Sequence, residues 1–421
     1  MKFRLFPLVL ALSLSHSPIV AHSALSIPAV PLQTGSAVAP NLFYMLDDSG
    51  SMQWEIMPEN YLYAYYMFPP AGEGQGTGYG GAHVYGGSMY PYIVMKFDTD
   101  TDEAVYLRSS TVNVVYYNPQ QNYVPWAKHD GTSYSNANPS AADYNPFEPG
   151  RGSLNLIQQH TRSAYWNWNN GSWTQHTFWP ITFYVYKGSG NKQDKTRYIR
   201  YQYRNGTMYK WDVGGDPETT LTTMPWGRTV AQEVQNFANW FTYYRSRILA
   251  VRAGTSLAFS TLGNNYRVGF ATIHQTGWKH PPPNNNGFNA AERQDFYTRL
   301  FQTPIDTSGT PLRSGLDAIG KQIETNLDYF LPDPALSCRQ NFAILTTDGY
   351  WNDDNINGGS VGNQDNTNGS IITHADGHTT YQYTASRPFK DDWSDTLADV
   401  AMKYWKRDLR TDLKNDVATT T

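Results

Sequence analysis

A chain of 421 residues is long enough to bury a large core and has room for two or three domains, which excludes disorder as its global state. Only 16% of its residues are charged and 15% are aromatic, with 34 Gly and 25 Pro, a balance that argues against a helical bundle and for loop-rich structure lined by Tyr and Trp. The formal net charge of −4, with no basic block able to track phosphates, gives no reason to expect a nucleic-acid partner.

Residues 1–23 read as a secretory signal. Lys2 and Arg4 precede the short apolar run 5–14, and Ala21-His22-Ser23 fits a small-x-small cleavage site, so the mature chain is expected to begin near Ala24. That run is too short to stay in a bilayer, and no later one reaches the roughly 20 apolar residues that spanning needs, so an exported protein without a membrane span is expected. Cys338 is the single cysteine. It points to an intermolecular bond, a free thiol or a partner beyond the end of this chain, and with Ser337, Arg339 and Gln340 beside it there is no local base to make it a nucleophile.

The apolar run Asn41-Leu42-Phe43-Tyr44-Met45-Leu46 reads as a strand, and Asp47-Asp48-Ser49-Gly50-Ser51-Met52 follows it. Asp47, Ser49 and Ser51, at i, i+2 and i+4, offer a carboxylate and two hydroxyls, hard oxygen donors of the kind that Mg²⁺ or Mn²⁺ takes. The same hexapeptide also reads as an ordinary Asp/Ser/Gly turn. Residues 53–227 then hold 21 of the 31 tyrosines and 8 of the 13 tryptophans. The Gly-rich stretch 72–87, the alternating segment 110–117 and the run 181–186 predict short strands and long loops there. Asp98-Thr99-Asp100-Thr101-Asp102-Glu103 imitates the start of a calcium loop, but it lacks Gly at the sixth position and has Ser109 at the twelfth, so a solvated hairpin turn is expected instead.

Apolar residues spaced by fours and threes from Val230 to Val251 predict one amphipathic helix over 229–251. A strand is expected over 266–273, and a helix from Thr310, with Pro311 in its first turn and Leu312, Leu316, Ile319, Ile323 and Leu327 on one face. A further strand over 341–347 ends at Asp348-Gly349, and a last helix is expected over 394–410. The polar tracts 352–355 and 362–366 are candidates for Ca²⁺ in surface loops, although such tracts are more often plain exposed loops. His374 and His378 are spaced like a helical zinc pair, but Asp376-Gly377 between them and a loop setting argue against a zinc hydrolase. No P-loop pattern is present.

Strands alternating with helices predict an α/β fold, doubly wound on a mainly parallel sheet whose ligands sit at the carboxyl ends of the strands. Asp47 and Asp348 both fall at that edge, and the helix at Thr310 would start beside it. "LDDSGSM", "SGTPLRSGL" and "ILTTDGYWN" resemble, in order, the metal-ion-dependent adhesion site of von Willebrand factor A domains. The resemblance implies Mg²⁺ or Mn²⁺ held by Asp47, Ser49, Ser51, Thr310 and Asp348, with a ligand carboxylate at the open position. It also implies domain limits: 24–52 and 228–421 form the von Willebrand factor A-like domain, and 53–227 form a large β-rich, aromatic insertion. The family fold needs more strands and a closing helix after the last predicted helix, so the chain reads as a fragment with the C-terminal part of the fold missing.

"VYYNPQQNYVPW", "NFAILTTDGYWND" and "DTLADVAMKYWKRDLR" resemble the N-terminal region of PilY-type proteins, tip-associated adhesins of bacterial type IV pili. That resemblance implies a non-enzymatic adhesin and pilus assembly factor, exported through the periplasm and outer membrane to the pilus tip. Its implied partners are minor pilins and carboxylate-bearing ligands on host or abiotic surfaces. The alternative is a structural subunit that docks on minor pilins to prime or cap the fibre without metal-dependent adhesion.

Overall fold

The computed structural model describes residues 38–61, 64–69, 93–166, 174–215, 217–274, 287–305, 307–325, 337, 339–352 and 359–415. The signal segment 1–23, the Gly-rich stretch 72–87, residues 353–355 and Cys338 lie outside them. Strand β1 (Asn41–Leu46) is the middle of a three-stranded parallel sheet, between β2 (Arg267–Thr272) and β3 (Asn341–Thr346). Asn41 stands opposite both Arg267 and Asn341, and Leu46 opposite both Thr272 and Thr346, so the three strands end level with one another.

Every residue of β1 is buried, which explains why it reads as an unbroken apolar run and not as an alternating one. One face, with Leu42, Tyr44 and Leu46, joins the cluster that holds Phe259 of α2 (Arg247–Ser260) and Phe296 of α3 (Ala290–Gln302). The other, with Phe43 and Met45, packs with Leu312, Ile319 and Ile323 of α4 (Leu312–Thr325) and with Leu397 of α5 (Leu397–Trp405). Helices therefore cover both faces of the sheet. Tyr44 fixes the first face: its hydroxyl bonds Thr255 at 2.6 Å and Thr346 at 2.9 Å, while its ring meets Phe259 and Phe296 edge-on. On the second face α4 comes close because Gly315 carries no side chain; a Cβ there would stand 2.9 Å from Met45 Sδ and 3.4 Å from Ile273 Cα.

The helix predicted over 229–251 is two helices. α1 (Val230–Tyr243) opens on a Thr229/Gln232 capping box and stops where Tyr244 leaves helical geometry, and Ser246 then caps α2 with its hydroxyl on the Leu249 N–H. The apolar spacing runs unbroken across the junction, so periodicity gives no sign of it. The break turns two arginines inward. Arg245 pairs with buried Glu55 at 2.9 Å, and Arg247 reaches the sheet edge.

Between β1 and α1 the insert forms an antiparallel sheet of Thr182–Tyr186, Tyr198–Arg204, Thr207–Asp212 and Thr219–Leu221, and a hairpin of His160–Trp166 with Thr174–Phe178. The Asn205-Gly206 turn, with φ of 47° and 87°, joins two of these strands as its sequence requires. The strand predicted over 110–117 does not form. Asn113 there bonds the Met57 N–H and, through its amide nitrogen, the Glu55 and Leu107 carbonyls, and the chain winds in turns around that buried side chain. The predicted hairpin turn at 98–103 is instead the start of a helix, Asp102–Tyr106, capped by the Thr101 hydroxyl on the Ala104 N–H. The boundaries at 52/53 and 227/228 divide the sequence but not the packing, because one apolar cluster runs from Leu42 and Tyr44 through Phe68, Tyr116, Trp126 and Phe183 to Phe237 and Trp240.

Candidate metal centre

Three loops meet beyond the carboxyl ends of β1 and β3. The Asp47 N–H donates to the Thr346 carbonyl at 2.9 Å, which carries the β1–β3 ladder one step past the strands. The Asp47 side chain is fully buried; one carboxylate oxygen accepts the Ser49 N–H at 2.9 Å and the other the Thr347 hydroxyl at 2.7 Å. Ser49 is extended and precedes a short 3-10 turn, Gly50–Gln53, which brings the Ser51 hydroxyl to 3.3 Å from that of Ser49. The second loop joins the first where the Gly50 N–H meets the Ser308 carbonyl at 3.1 Å. Thr310, nearly buried ahead of α4, exchanges bonds with Asn352 of the third loop: its N–H donates to Asn352 Oδ1 at 2.7 Å, and its carbonyl accepts the Asn352 N–H at 3.2 Å. The structure thus brings the three segments that carry Asp47, Ser49, Ser51, Thr310 and Asp348 to one edge of the sheet.

Two carboxylates share this edge. Burial pushes the Asp47 pKa above the usual carboxylate range, against hydrogen bonds from Ser49 and Thr347, and the nearby negative charge of Asp348 raises it further. Asp348 Oδ2 accepts a hydrogen bond from the Arg247 guanidinium at 2.5 Å, while its Oδ1 is buried and has no hydrogen-bond partner among the described residues. A buried carboxylate oxygen left bare is costly. With two hydroxyls and a second carboxylate nearby, the donors fit a small hard cation, which takes carboxylate and hydroxyl oxygens and offsets their repulsion. Among the described residues no group of three or more His, Cys, Asp or Glu comes together that could hold a metal, so a cation at this edge would need the hydroxyls as well.

Asp48, the other acid of the motif, is turned elsewhere and pairs with His274 Nδ1 at 2.7 Å. His374 and His378 are not a metal pair: the His374 ring accepts the Asp376 N–H, and Asp376 accepts the His378 and Thr379 N–H groups in a tight turn. The loop 360–366 draws its order from protein carboxylates, with Asp395 accepting the Val361 and Gly362 N–H groups and Asp399 that of Gln364.

Sequence reasoning missed Thr347 and Arg247, and it read Asn352 only as the start of the candidate Ca²⁺ tract 352–355. Thr347 directly precedes Asp348 and could have been suspected as its neighbour. Arg247 gave one signal: in Tyr244-Arg245-Ser246-Arg247, a Ser ahead of Ile248 and Leu249 is a helix cap in the middle of a predicted helix.

No protein-family model and no solved structure matches the chain. It is similar to the type IV pilus biogenesis factor PilY1 of Pseudomonas aeruginosa: 26% identical over 421 aligned residues in strain PAK, 28% over 407 in strain UCBPP-PA14 and 27% over 416 in strain PAO1. Each match covers 94% of this chain, which spans only 30% of the relative's length.

Proposed function

We propose that this chain, a distant relative of the type IV pilus biogenesis factor PilY1, works at a type IV pilus as a binding module of the von Willebrand factor A type and not as an enzyme. Its task on this reading is to hold a ligand through a divalent cation at the carboxyl edge of the parallel sheet. The observation that carries the reading is the buried Oδ1 of Asp348, without a hydrogen-bond partner among the described residues, near a second buried carboxylate, Asp47, whose loop carries two hydroxyls. Asp47, Ser49, Ser51, Thr310 and Asp348 would hold Mg²⁺ or Mn²⁺, which when bound supplies a Lewis-acidic attachment for a ligand carboxylate. The chain's own contribution is to fix the donors. Thr347 and the Ser49 N–H orient the Asp47 carboxylate, and Asn352 ties the Thr310 loop to the Asp348 loop.

Ligands with a carboxylate on a surface or a partner protein suit such a site, and location at the pilus tip with minor pilins as neighbours follows as part of the proposal. No helix among the described residues is long and apolar enough to cross a membrane. Assembly is the second role, favoured by the relatives' designation as biogenesis factors. Cells carrying an Asp47→Ala, Ser49→Ala chain separate the two. The adhesin reading expects pili to assemble while attachment to surfaces falls to the level seen with a chelator; attachment that persists, with minor pilins still co-purifying, supports the assembly role alone.

A further inference from the structure

Arg247 belongs to no motif, yet its side chain touches both the candidate metal site and the start of the insert. It leaves the helix break and lies 2% exposed. One terminal nitrogen, NH1, donates to Asp348 Oδ2 at 2.5 Å and to Glu59 Oε1 at 3.0 Å. Nε and NH2 both donate to the Ile56 carbonyl, at 3.0 and 2.8 Å, and the guanidinium stands 4.9 Å from the Trp54 ring centroid. The Arg247 N–H adds a bond to the Trp54 carbonyl at 3.1 Å. Segment 54–59 is in turn fastened to the insert, because Asn113 bonds the Met57 N–H and the Glu55 carbonyl, and the Val114 N–H bonds the Met57 carbonyl.

We infer that Arg247 couples cation binding to the insert: its guanidinium competes electrostatically with a divalent cation for Asp348, and the grip of segment 54–59 on Arg247 sets how strongly it competes. The inference rests on the metal reading above and deepens it by naming how the site is regulated. A guanidinium on one carboxylate oxygen repels a cation approaching the other oxygen, and in a buried site that repulsion is little screened. Glu59 and the Ile56 carbonyl draw the same guanidinium toward the insert and take up part of its charge. Whatever tightens the insert's hold frees Asp348 for the cation, and by reciprocity the cation must tighten the insert's hold on Arg247. Arg247 is a positioning residue and not a ligand, and this role differs from that of a plain structural ion pair in the sign of its effects.

Two variants read that sign in Mg²⁺ titrations followed by calorimetry. Arg247→Met removes the competing charge and should tighten Mg²⁺ binding about tenfold, the scale expected for a cation–cation repulsion at this range. Glu59→Gln leaves the guanidinium more fully on Asp348 and should weaken binding roughly threefold, as a partly exposed partner would. In the parent protein Mg²⁺ should also slow hydrogen exchange across residues 54–59, and in Arg247→Met it should not. If Arg247→Met fails to fold, Glu59→Gln decides alone: weaker Mg²⁺ binding supports the coupling, and unchanged or tighter binding overturns it. Unchanged affinity in a folded Arg247→Met chain, or exchange at 54–59 indifferent to Mg²⁺ in the parent, also overturns it. A parent protein that takes up no Mg²⁺ fails the metal reading itself, a separate outcome from a parent that binds while both variants bind alike.

Discussion

Asp348 gives its two oxygens different surroundings, one on a guanidinium and one buried with no hydrogen-bond partner among the described residues, and that difference explains more of the site than its position after a strand does. Converting it to Asn keeps the shape while removing the charge that both Arg247 and a cation would use. Asp348→Asn is expected to lower Mg²⁺ affinity at least tenfold in calorimetry and to cost about 1–3 kcal/mol in urea denaturation, because Arg247 is then left buried beside a neutral amide. A loss of stability with metal binding untouched would mean that Asp348 serves only the ion pair. At this scale the sequence was readable where chemistry travels with residue type: Asp47, Ser49, Ser51, Thr310 and Asp348 are oxygen donors wherever they sit. Arg247 was not readable in that way. Its role depends on three residues of broken helix, and apolar spacing is blind to such a break because the periodic positions stay in step across it.

Among the elements, α4 is the one that delivers Thr310 to the edge, and two devices hold it. Gly315 lets it approach Met45, and Gly320 lets α5 approach it, since a Cβ at Gly320 would stand 2.4 Å from the Tyr404 ring. Asp317, buried on α4, accepts from Lys403 at 2.9 Å and the Tyr404 hydroxyl at 2.7 Å, both on α5, and from Lys321 at 2.6 Å on its own helix. Burial alone would raise the Asp317 pKa, but bonds from Lys321, Tyr404 and Lys403 bring it below the usual value. A depressed carboxyl contributes stability above its unfolded pKa near 3.9 and loses it as pH falls through the lower folded pKa. Thermal melts should therefore show α5 docking weaken at acid pH in the parent, and Asp317→Asn should remove that part of the pH dependence while lowering stability by about 1–3 kcal/mol. An unchanged acid limb in Asp317→Asn would contradict the assignment. The helix 394–410 was legible as an element; its observed span is Leu397–Trp405, and it starts late because Thr396 and Asp399 form a capping box. The strand expected over 110–117 was misread for a comparable reason: alternation of apolar residues said nothing of Asn113, whose buried amide organises the backbone into turns.

Across the whole molecule the insert and the parallel sheet share one core. Phe68 makes this visible, with its ring 5.6 Å from Phe97, 6.3 Å from Tyr116, 5.9 Å from Trp240 and 5.0 Å from Phe241, joining insert residues to α1. Phe68→Ala is expected to cost about 3–5 kcal/mol and to shift the unfolding of the insert and the sheet together, seen as coincident transitions by near-ultraviolet and far-ultraviolet dichroism. Two separate transitions would show that the insert folds by itself. The aromatic excess of residues 53–227 was plain in the sequence, but its meaning was not, because composition cannot tell the lining of a separate domain from the cement between two parts of one. The claim on which the rest depends is that the β1 and β3 edge holds a divalent cation. Titration of the full chain with Mg²⁺ or Mn²⁺ by calorimetry tests it most directly: the account predicts saturable binding that disappears in a folded Asp47→Ala, Ser49→Ala double variant, and binding of equal strength in that variant would contradict it.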